Sequence, residues 1–411
     1  GYRRYMDTAK EEDAHYYIAL CYEKQLEYQQ AIDAYQAFLQ KYKKSPRTTQ
    51  ILVTLGNIYK RWADIDENSR EERLLTAISK YEEALADPAT NTESRIALHT
   101  LIGDIWRKLY DHNPDREVYI LGTLRGYRNA ESLLAQTEAK SAEYFNLQRD
   151  LALGLADTLL ILGRNASKEA ENIQASAEDL PRSSDLRASQ LAAAEITRAT
   201  AAVHLSEAIY LYSRLIGMEP TVPLQASASG QILSVTGHAV LSEEQQNHVR
   251  NNLAEAYFYM GRYEDAMNIA IPLIETLSKQ DPGNPYLASL CYLVGDAAWK
   301  EGDYDRRVVE YYRLGRKYCP LFPPGSGERS NVAALRMANI YYQRGMEEGN
   351  PRDLQSAIEE YLNIIREFPD TKWTYLTRYW LARTYERYAD VLADPKSDVY
   401  DPTKAKEYYQ L

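Results

Sequence analysis

The chain has 411 residues, 48 of them basic and 59 acidic, for a formal net charge of −11, and 45% of its residues are hydrophobic. That hydrophobic share is ordinary for a folding chain and argues against wholesale disorder. The acidic balance argues against a nucleic-acid backbone as the main partner.

Taken in chain order, apolar residues recur at spacings of three and four, the period of a helix face. First helices are predicted near 12–25, 49–62, 96–109 and 149–162, each followed by a second helix, near 30–42, 75–86, 128–139 and 206–217. The same alternation resumes with 247–260, 288–301, 331–344 and 375–388, paired with 264–278, 305–318, 355–367 and 403 onward. One motif runs through these pairs. Leu or a similar residue precedes Gly or Ala, an aromatic follows three residues later, Ala nine after that, and an aromatic four further on. It reads as Leu253-Ala254, Tyr257, Gly261, Tyr263 and Ala266, and again as Val294-Gly295, Ala298, Gly302, Tyr304, Val308 and Tyr311. Tyr22, Tyr28, Ala31 and Tyr35 form another copy, and the last opens at Leu381-Ala382 with Tyr385 and closes with Ala405 and Tyr409. Gly56, Gly103, Gly295, Ala31, Ala77, Ala266 and Ala357 fall where two helix backbones must approach closely, with large aromatics one turn away filling the gaps. Pro46, Pro220, Pro320 and Pro369 stand at or past the ends of second helices, where a missing N–H costs least. Tyrosine is over-used, 35 residues against 5 Phe and 5 Trp. A ring whose hydroxyl must be solvated or paired suits half-buried positions.

This set of small, aromatic and proline positions resembles the tetratricopeptide repeat (TPR) family, whose unit is 34 residues. The resemblance covers nearly the whole chain. It implies an all-α, right-handed α-solenoid of about eight helix pairs. The expected organisation is an N-terminal array over 1–219, an irregular linker over 220–246 and a C-terminal array over 247–411, its last unit truncated. Several copies exceed the family length, always between the first and second helix, at 63–72, 110–126 and 164–205 and again in the last two. Equivalent turns of a solenoid stack along one edge, so these additions should share a side. The largest is Ala-rich over 166–178 and 186–205 around Leu180-Pro181-Arg182-Ser183-Ser184, and reads as an extra helical hairpin or as long extensions of both helices. Residues 221–240 lack helical period and suggest a loop with a short hairpin.

No sequence feature supports catalysis, a cofactor or a metal. The histidines (His15, His99, His112, His204, His238, His248) are scattered, and no phosphate-binding glycine loop, dinucleotide fingerprint or nucleophile elbow is present. Asn165-Ala166-Ser167 matches a glycosylation sequon. Cys21, Cys291 and Cys319 form no disulfide framework, although antiparallel packing brings the ends carrying Cys291 and Cys319 together, so that pair is a candidate disulfide. No window approaches 18 consecutive apolar residues, so no membrane span is expected. The start at Gly1 and the stop at Leu411 inside a helical pattern suggest a mature or truncated piece of a longer protein.

The family resemblance places partner binding on outward positions of the first helices. In the C-terminal half the candidate partner-binding residues are Asn251, Phe258, Tyr259, Tyr292, Trp299, Asn339, Tyr342, Tyr379 and Arg383, with Glu255, Asp296 and Leu335 on the same stripe. In the N-terminal half the stripe holds Tyr16, Val53, Asn57, Lys60, Arg61, Thr100, Asp104 and Arg107. The positions that form a carboxylate clamp in chaperone-binding relatives read Tyr16/Leu20, Val53/Asn57, Thr100/Asp104 and Tyr292/Asp296, which disfavours that role. The joints Phe38-Leu39 with Tyr42 and Ser45-Pro46, and Phe368-Pro369-Asp370-Thr371, resemble those of bacterial envelope TPR proteins, implying an exported location. The function implied is a non-enzymatic scaffold that holds protein subunits or peptides and self-associates. A transient peptide- or glycan-binding module of the envelope, or a non-catalytic region of a larger enzyme, are the alternatives.

Overall fold

The computed structural model describes every residue except 1, 138–141, 224–240, 303–305, 319–327, 348, 368 and 370–371. The chain divides into two compact units, Gly1–Val240 and Leu241–Leu411. The first contains α1 (Tyr2–Lys24), α2 (Tyr28–Lys41), α3 (Thr48–Ile65), α4 (Arg70–Ala86), α5 (Thr92–His112), α6 (Glu117–Ala135), α7 (Ala142–Glu178) and α8 (Asp185–Leu215). The second contains α9 (Glu243–Tyr259), α10 (Tyr263–Gln280), α11 (Tyr286–Glu301), α12 (Arg306–Lys317), α13 (Glu328–Glu347), α14 (Pro351–Glu367), α15 (Lys372–Ala393) and α16 (Pro402–Tyr408). Among the described residues there is no strand.

Each unit is a row of four antiparallel helix pairs. Inside a row, the second helix of one pair packs on the first helix of the next, as α2 does on α3 and α14 on α15. Successive first helices also meet, α5 with α7, α9 with α11 and α13 with α15. The all-α repeat expected from the 3.6-residue period is therefore what the chain forms.

Local chemistry sets the helix ends. Ser242 and Gln245 form a reciprocal capping box at the start of α9, with bonds of 3.2 and 3.0 Å. Asn91 caps α5 by accepting from the Ser94 N–H at 2.8 Å, and Asp401 caps α16 ahead of Pro402 at its first position. Each cap satisfies N–H groups that the first turn leaves without a helical partner. Gly261 and Gly302 close α9 and α11 in the left-handed region, at φ of 78° and 77°. At the equivalent place after α1 stands Leu26, at φ 61°.

The close approaches fall at the glycines. A Cβ on Gly56 would stand 2.4 Å from the Tyr81 ring, one on Gly103 2.7 Å from Tyr127, and one on Gly295 2.7 Å from Tyr312. Tyr35, Tyr81, Tyr212, Tyr312 and Tyr361 are among the largest fully buried side chains, and each such ring contributes about 1.5–3 kcal/mol of apolar transfer.

The extra residues between helices are mostly helical. In the third pair only 113–116 separate α5 from α6, and in the fourth α7 and α8 are 37 and 31 residues long. The Ala-rich insert thus extends both helices of its pair. Ala156, Gly163, Ala170 and Ala177 on α7 and Ala194, Ala201 and Ala208 on α8 recur every seventh residue and are all buried. A seven-residue repeat of small side chains keeps one seam facing the partner helix and lets the backbones come close. At Gly163 an added Cβ would stand 2.5 Å from Leu205.

The last pair differs from the expected register. Tyr409 donates to Asp390 at 2.7 Å, and Ala389 is fully buried while Ala382 is exposed. The small residue facing α16 is therefore Ala389, two turns beyond Ala382, because the 394–401 connection returns α16 onto the C-terminal half of α15. The sequon Asn165 lies inside α7 and donates its side-chain N–H to the Tyr110 hydroxyl at 3.0 Å. The irregular stretch expected over 220–246 lies mostly outside the described residues, and α9 begins at Glu243. Cys291 is buried, whereas Cys319 lies outside the described residues. Among those residues no helix is long and apolar enough to cross a membrane.

Candidate protein-binding surface

The first helices carry a repeated side-chain pair whose logic begins at the small residue. Where Gly or Ala lets a tyrosine ring lie across the helix, the ring's hydroxyl reaches the next residue along. Tyr81 donates to Asn57 at 2.7 Å, Tyr127 to Asp104 at 2.7 Å and Tyr212 to Asp157 at 2.5 Å. Tyr312 donates to Asp296 at 2.9 Å and Tyr361 to Asn339 at 2.5 Å. In the last pair Tyr409 donates to Asp390 in the same way, but its ring is exposed. A buried hydroxyl without such an acceptor would be costly, so the small residue and the Asn or Asp after it form one packing unit with the tyrosine.

The same geometry sets the electrostatics. Burial pushes the Tyr81 hydroxyl up to about 12. It raises Tyr127, Tyr312 and Tyr361 as well. Asp104 is raised by desolvation among the surrounding helices, against the Tyr127 hydroxyl, which lowers it. Two of the acids read as stripe residues, Asp104 and Asp296, thus serve the interior of their own pair. Arg336 also reaches Asp296, which ties α13 to α11.

The candidate residues of the second unit divide by exposure. Tyr292 and Tyr342 are buried, at 5% and 7% relative exposure. Tyr292 lies against Gly315 of α12, where an added Cβ would come within 2.9 Å of the ring. Asn251, Phe258, Tyr259, Trp299, Asn339 and Arg383 are half-buried. Asn251 donates to Asn252 at 2.9 Å, Phe258 packs against Tyr259 and Tyr263 with centroids 5.4 Å apart, and Asn339 holds the Tyr361 hydroxyl. Arg383 pairs with Glu386 at 3.0 Å. Tyr379 alone of the set is open, 56% exposed.

The structure brings Tyr342 and Tyr379 together through Trp380, whose ring centroid lies 5.5 Å from one and 5.4 Å from the other, edge to face. Beside Tyr379 on α15 stand Tyr375 and Leu376, 79% and 41% exposed. Sequence reasoning passed over both, because the family's outward positions start further along the helix. The spacing of four between Tyr375 and Tyr379 puts them on one face and was the available signal. Among the described residues no group of three or more His, Cys, Asp or Glu side chains could hold a metal ion.

The family model of the tetratricopeptide repeat matches residues 13–45, the C-terminal half of α1 and all of α2. A comparison with curated proteins gives no match. Among solved structures, a tetratricopeptide repeat protein from Parabacteroides merdae ATCC 43184 is 15% identical, with 80% of this chain and 99% of that one covered and a TM-score of 0.32. A Rap protein complexed with competence and sporulation factor is 11% identical, covering 98% and 92%, with a TM-score of 0.37. The apo form of RapI is 12% identical, covering 97% and 95%, with a TM-score of 0.20. The tetratricopeptide-repeat match thus falls on the first helix pair, and the packing of a tyrosine against a small residue recurs in later pairs of both units.

Proposed function

We propose that this chain is a non-enzymatic scaffold that holds a protein subunit on the first helices of its second unit and so helps to assemble a larger complex. The observation that carries the reading is the open aromatic face of α15. Tyr375 and Tyr379 stand exposed at 79% and 56% beside Leu376, and the ring contact to Trp380 holds Tyr379 in place from below. Rigid aromatics presented on a fixed helix dominate the energetics of protein interfaces, because little side-chain freedom is lost when they are covered. Asn251, Phe258, Tyr259, Trp299, Asn339 and Arg383 belong to the same reading as the half-buried flank of the surface. Tyr292 and Tyr342, being buried, act as its support.

The test is affinity purification of the full chain from its source at several salt concentrations, with mass spectrometry of what comes with it. A scaffold carries a stoichiometric partner, and the Tyr375→Ala/Tyr379→Ala double variant should retain at least tenfold less of it. If the wild-type chain purifies alone at every salt concentration, the scaffold reading fails. A partner that appears only after rapid crosslinking would instead favour a transient peptide-binding module.

A further inference from the structure

The last helix pair leaves part of its own interface uncovered. In five other pairs Asn57, Asp104, Asp157, Asp296 or Asn339 of the first helix accepts a tyrosine hydroxyl from the second helix. Each follows a Gly or Ala that is buried. Ala382 of α15 stands at the same place in the repeat, yet it is exposed. Tyr375, Ala382 and Ala389 are seven residues apart and so share one face of α15. α16 covers the end of that face. Ala389 is fully buried, Tyr409 reaches Asp390, and the Tyr408 ring meets those of Tyr385 and Tyr388. The two turns before it, about 10 Å of helix, carry Tyr375, Arg378, Tyr379 and Ala382, all exposed.

The chemistry of this stretch is also reversed. After the small residue the last pair carries Arg383 where the other five carry Asn or Asp. A guanidinium only donates hydrogen bonds. Arg383 is met by Glu386 of its own helix, with the two side chains 42% and 52% exposed, and such an open pair contributes little. Arg378 stands exposed beside Tyr379. From Lys372 to Tyr385 the helix holds Lys372, Arg378 and Arg383 and no acid, in a chain whose net charge is −11.

We infer that these two turns of α15 take an acidic amphipathic helix of a partner protein, laid where a second helix lies in the other pairs, with an aspartate or glutamate of that helix on Arg383 or Arg378. This rests on the scaffold reading of the same face and names the chemistry of its partner. The first support is continuity. The stretch prolongs the α15–α16 interface along one heptad, so its shape is that of a helix contact. Ala382 lets the backbone of the incoming helix come close, and Tyr375 and Tyr379 cover its apolar side. The second support is the reversed hydrogen bond. In the other pairs the second helix brings a donor to an acceptor, whereas the helix that fits here brings an acceptor to a donor. A carboxylate matches the guanidinium fork in charge and in geometry.

Photocrosslinking in the full chain, purified from its source with p-benzoylphenylalanine at position 375, tests this. The crosslinked segment is expected to belong to another protein, to be apolar at spacings of three and four, and to be net acidic. Arg378→Glu/Arg383→Glu should lower its recovery by about tenfold, while Arg378→Lys/Arg383→Lys keeps more of it than the reversal does. Ala382→Trp should block the helix by bulk alone, with the melting temperature unchanged because the side chain is exposed in the free chain. A partner that is lost with Tyr375→Ala/Tyr379→Ala but kept by both the charge reversal and Ala382→Trp leaves the scaffold reading standing and overturns this one. So does a crosslinked segment that is basic, that lacks a helical period, or that belongs to this chain. A wild-type chain that purifies alone at every salt concentration overturns both.

Discussion

Leu26 occupies a position that glycine holds elsewhere in the chain. Its N–H and that of Glu27 return to Glu23 and Tyr22 at 3.0 Å, the same closure that Gly261 and Arg262 make on Phe258 and Tyr257. A side chain at φ 61° costs about 1–2 kcal/mol against the following carbonyl, and Leu26 recovers little of this by packing because it is 61% exposed. Leu26→Gly is expected to stabilise the chain by about 1 kcal/mol after the larger entropy of an unfolded glycine is subtracted. Thermal unfolding of the variant beside the wild type checks it. At this scale the glycines were legible, since Gly56, Gly103 and Gly295 sit in the motif where backbones must approach. The acceptors were not. Asp104 and Asp296 read as groove residues because the family places outward positions there, and sequence spacing does not tell a carboxylate that faces a ligand from one that receives a hydroxyl of its own repeat. The surplus of tyrosine over phenylalanine is the trace this pairing leaves in composition.

Among the elements, the α6–α8 contact turns on one guanidinium. Arg128 binds Glu207 through both nitrogens and Glu131 at 2.8 Å, and the two glutamates are 1% and 2% exposed. Arg128→Ala would leave them without their shared cation inside the protein, a loss of about 3–5 kcal/mol. Urea unfolding should show the midpoint fall by that loss divided by the slope, with the slope unchanged if the change lies in the native state. The presence and order of the helices were legible from their period, and the insert in the fourth pair was recognisable as helical from its alanines. That it lengthens α7 and α8 follows from spacing by seven, which keeps the small residues on one seam past the point where the repeat ends. The register of α16 was not legible, because Ala382 and Ala389 are equally good small residues two turns apart. The 394–401 connection decides between them.

For the molecule as a whole, the buried tyrosines make stability depend on alkaline pH. In the folded chain burial holds the Tyr81 proton up to about 12, while an unfolded tyrosine releases it near pH ~10. A folded-state value above the unfolded one means that the stabilisation is complete below about pH 10 and is lost as pH rises toward about 12. Tyr127, Tyr312 and Tyr361 shift in the same direction, so both units should lose stability over this window. Tyrosinate absorbance followed together with circular dichroism should show the hydroxyls of these buried rings ionising only as helix is lost. If the full tyrosinate absorbance develops near pH ~10 while the helix signal is unchanged, the hydroxyls are not protected.

The unbroken course of α7 and α8 carries a mechanical consequence. From Gly163 to Glu178 the outer part of α7 runs for roughly 23 Å at the helical rise, with no hinge between the tip and the body of the pair. Load applied at the tip would travel down the two rods as a lever and arrive as torque on the Tyr212–Asp157 contact. Whatever grips the far end therefore also strains the fourth repeat.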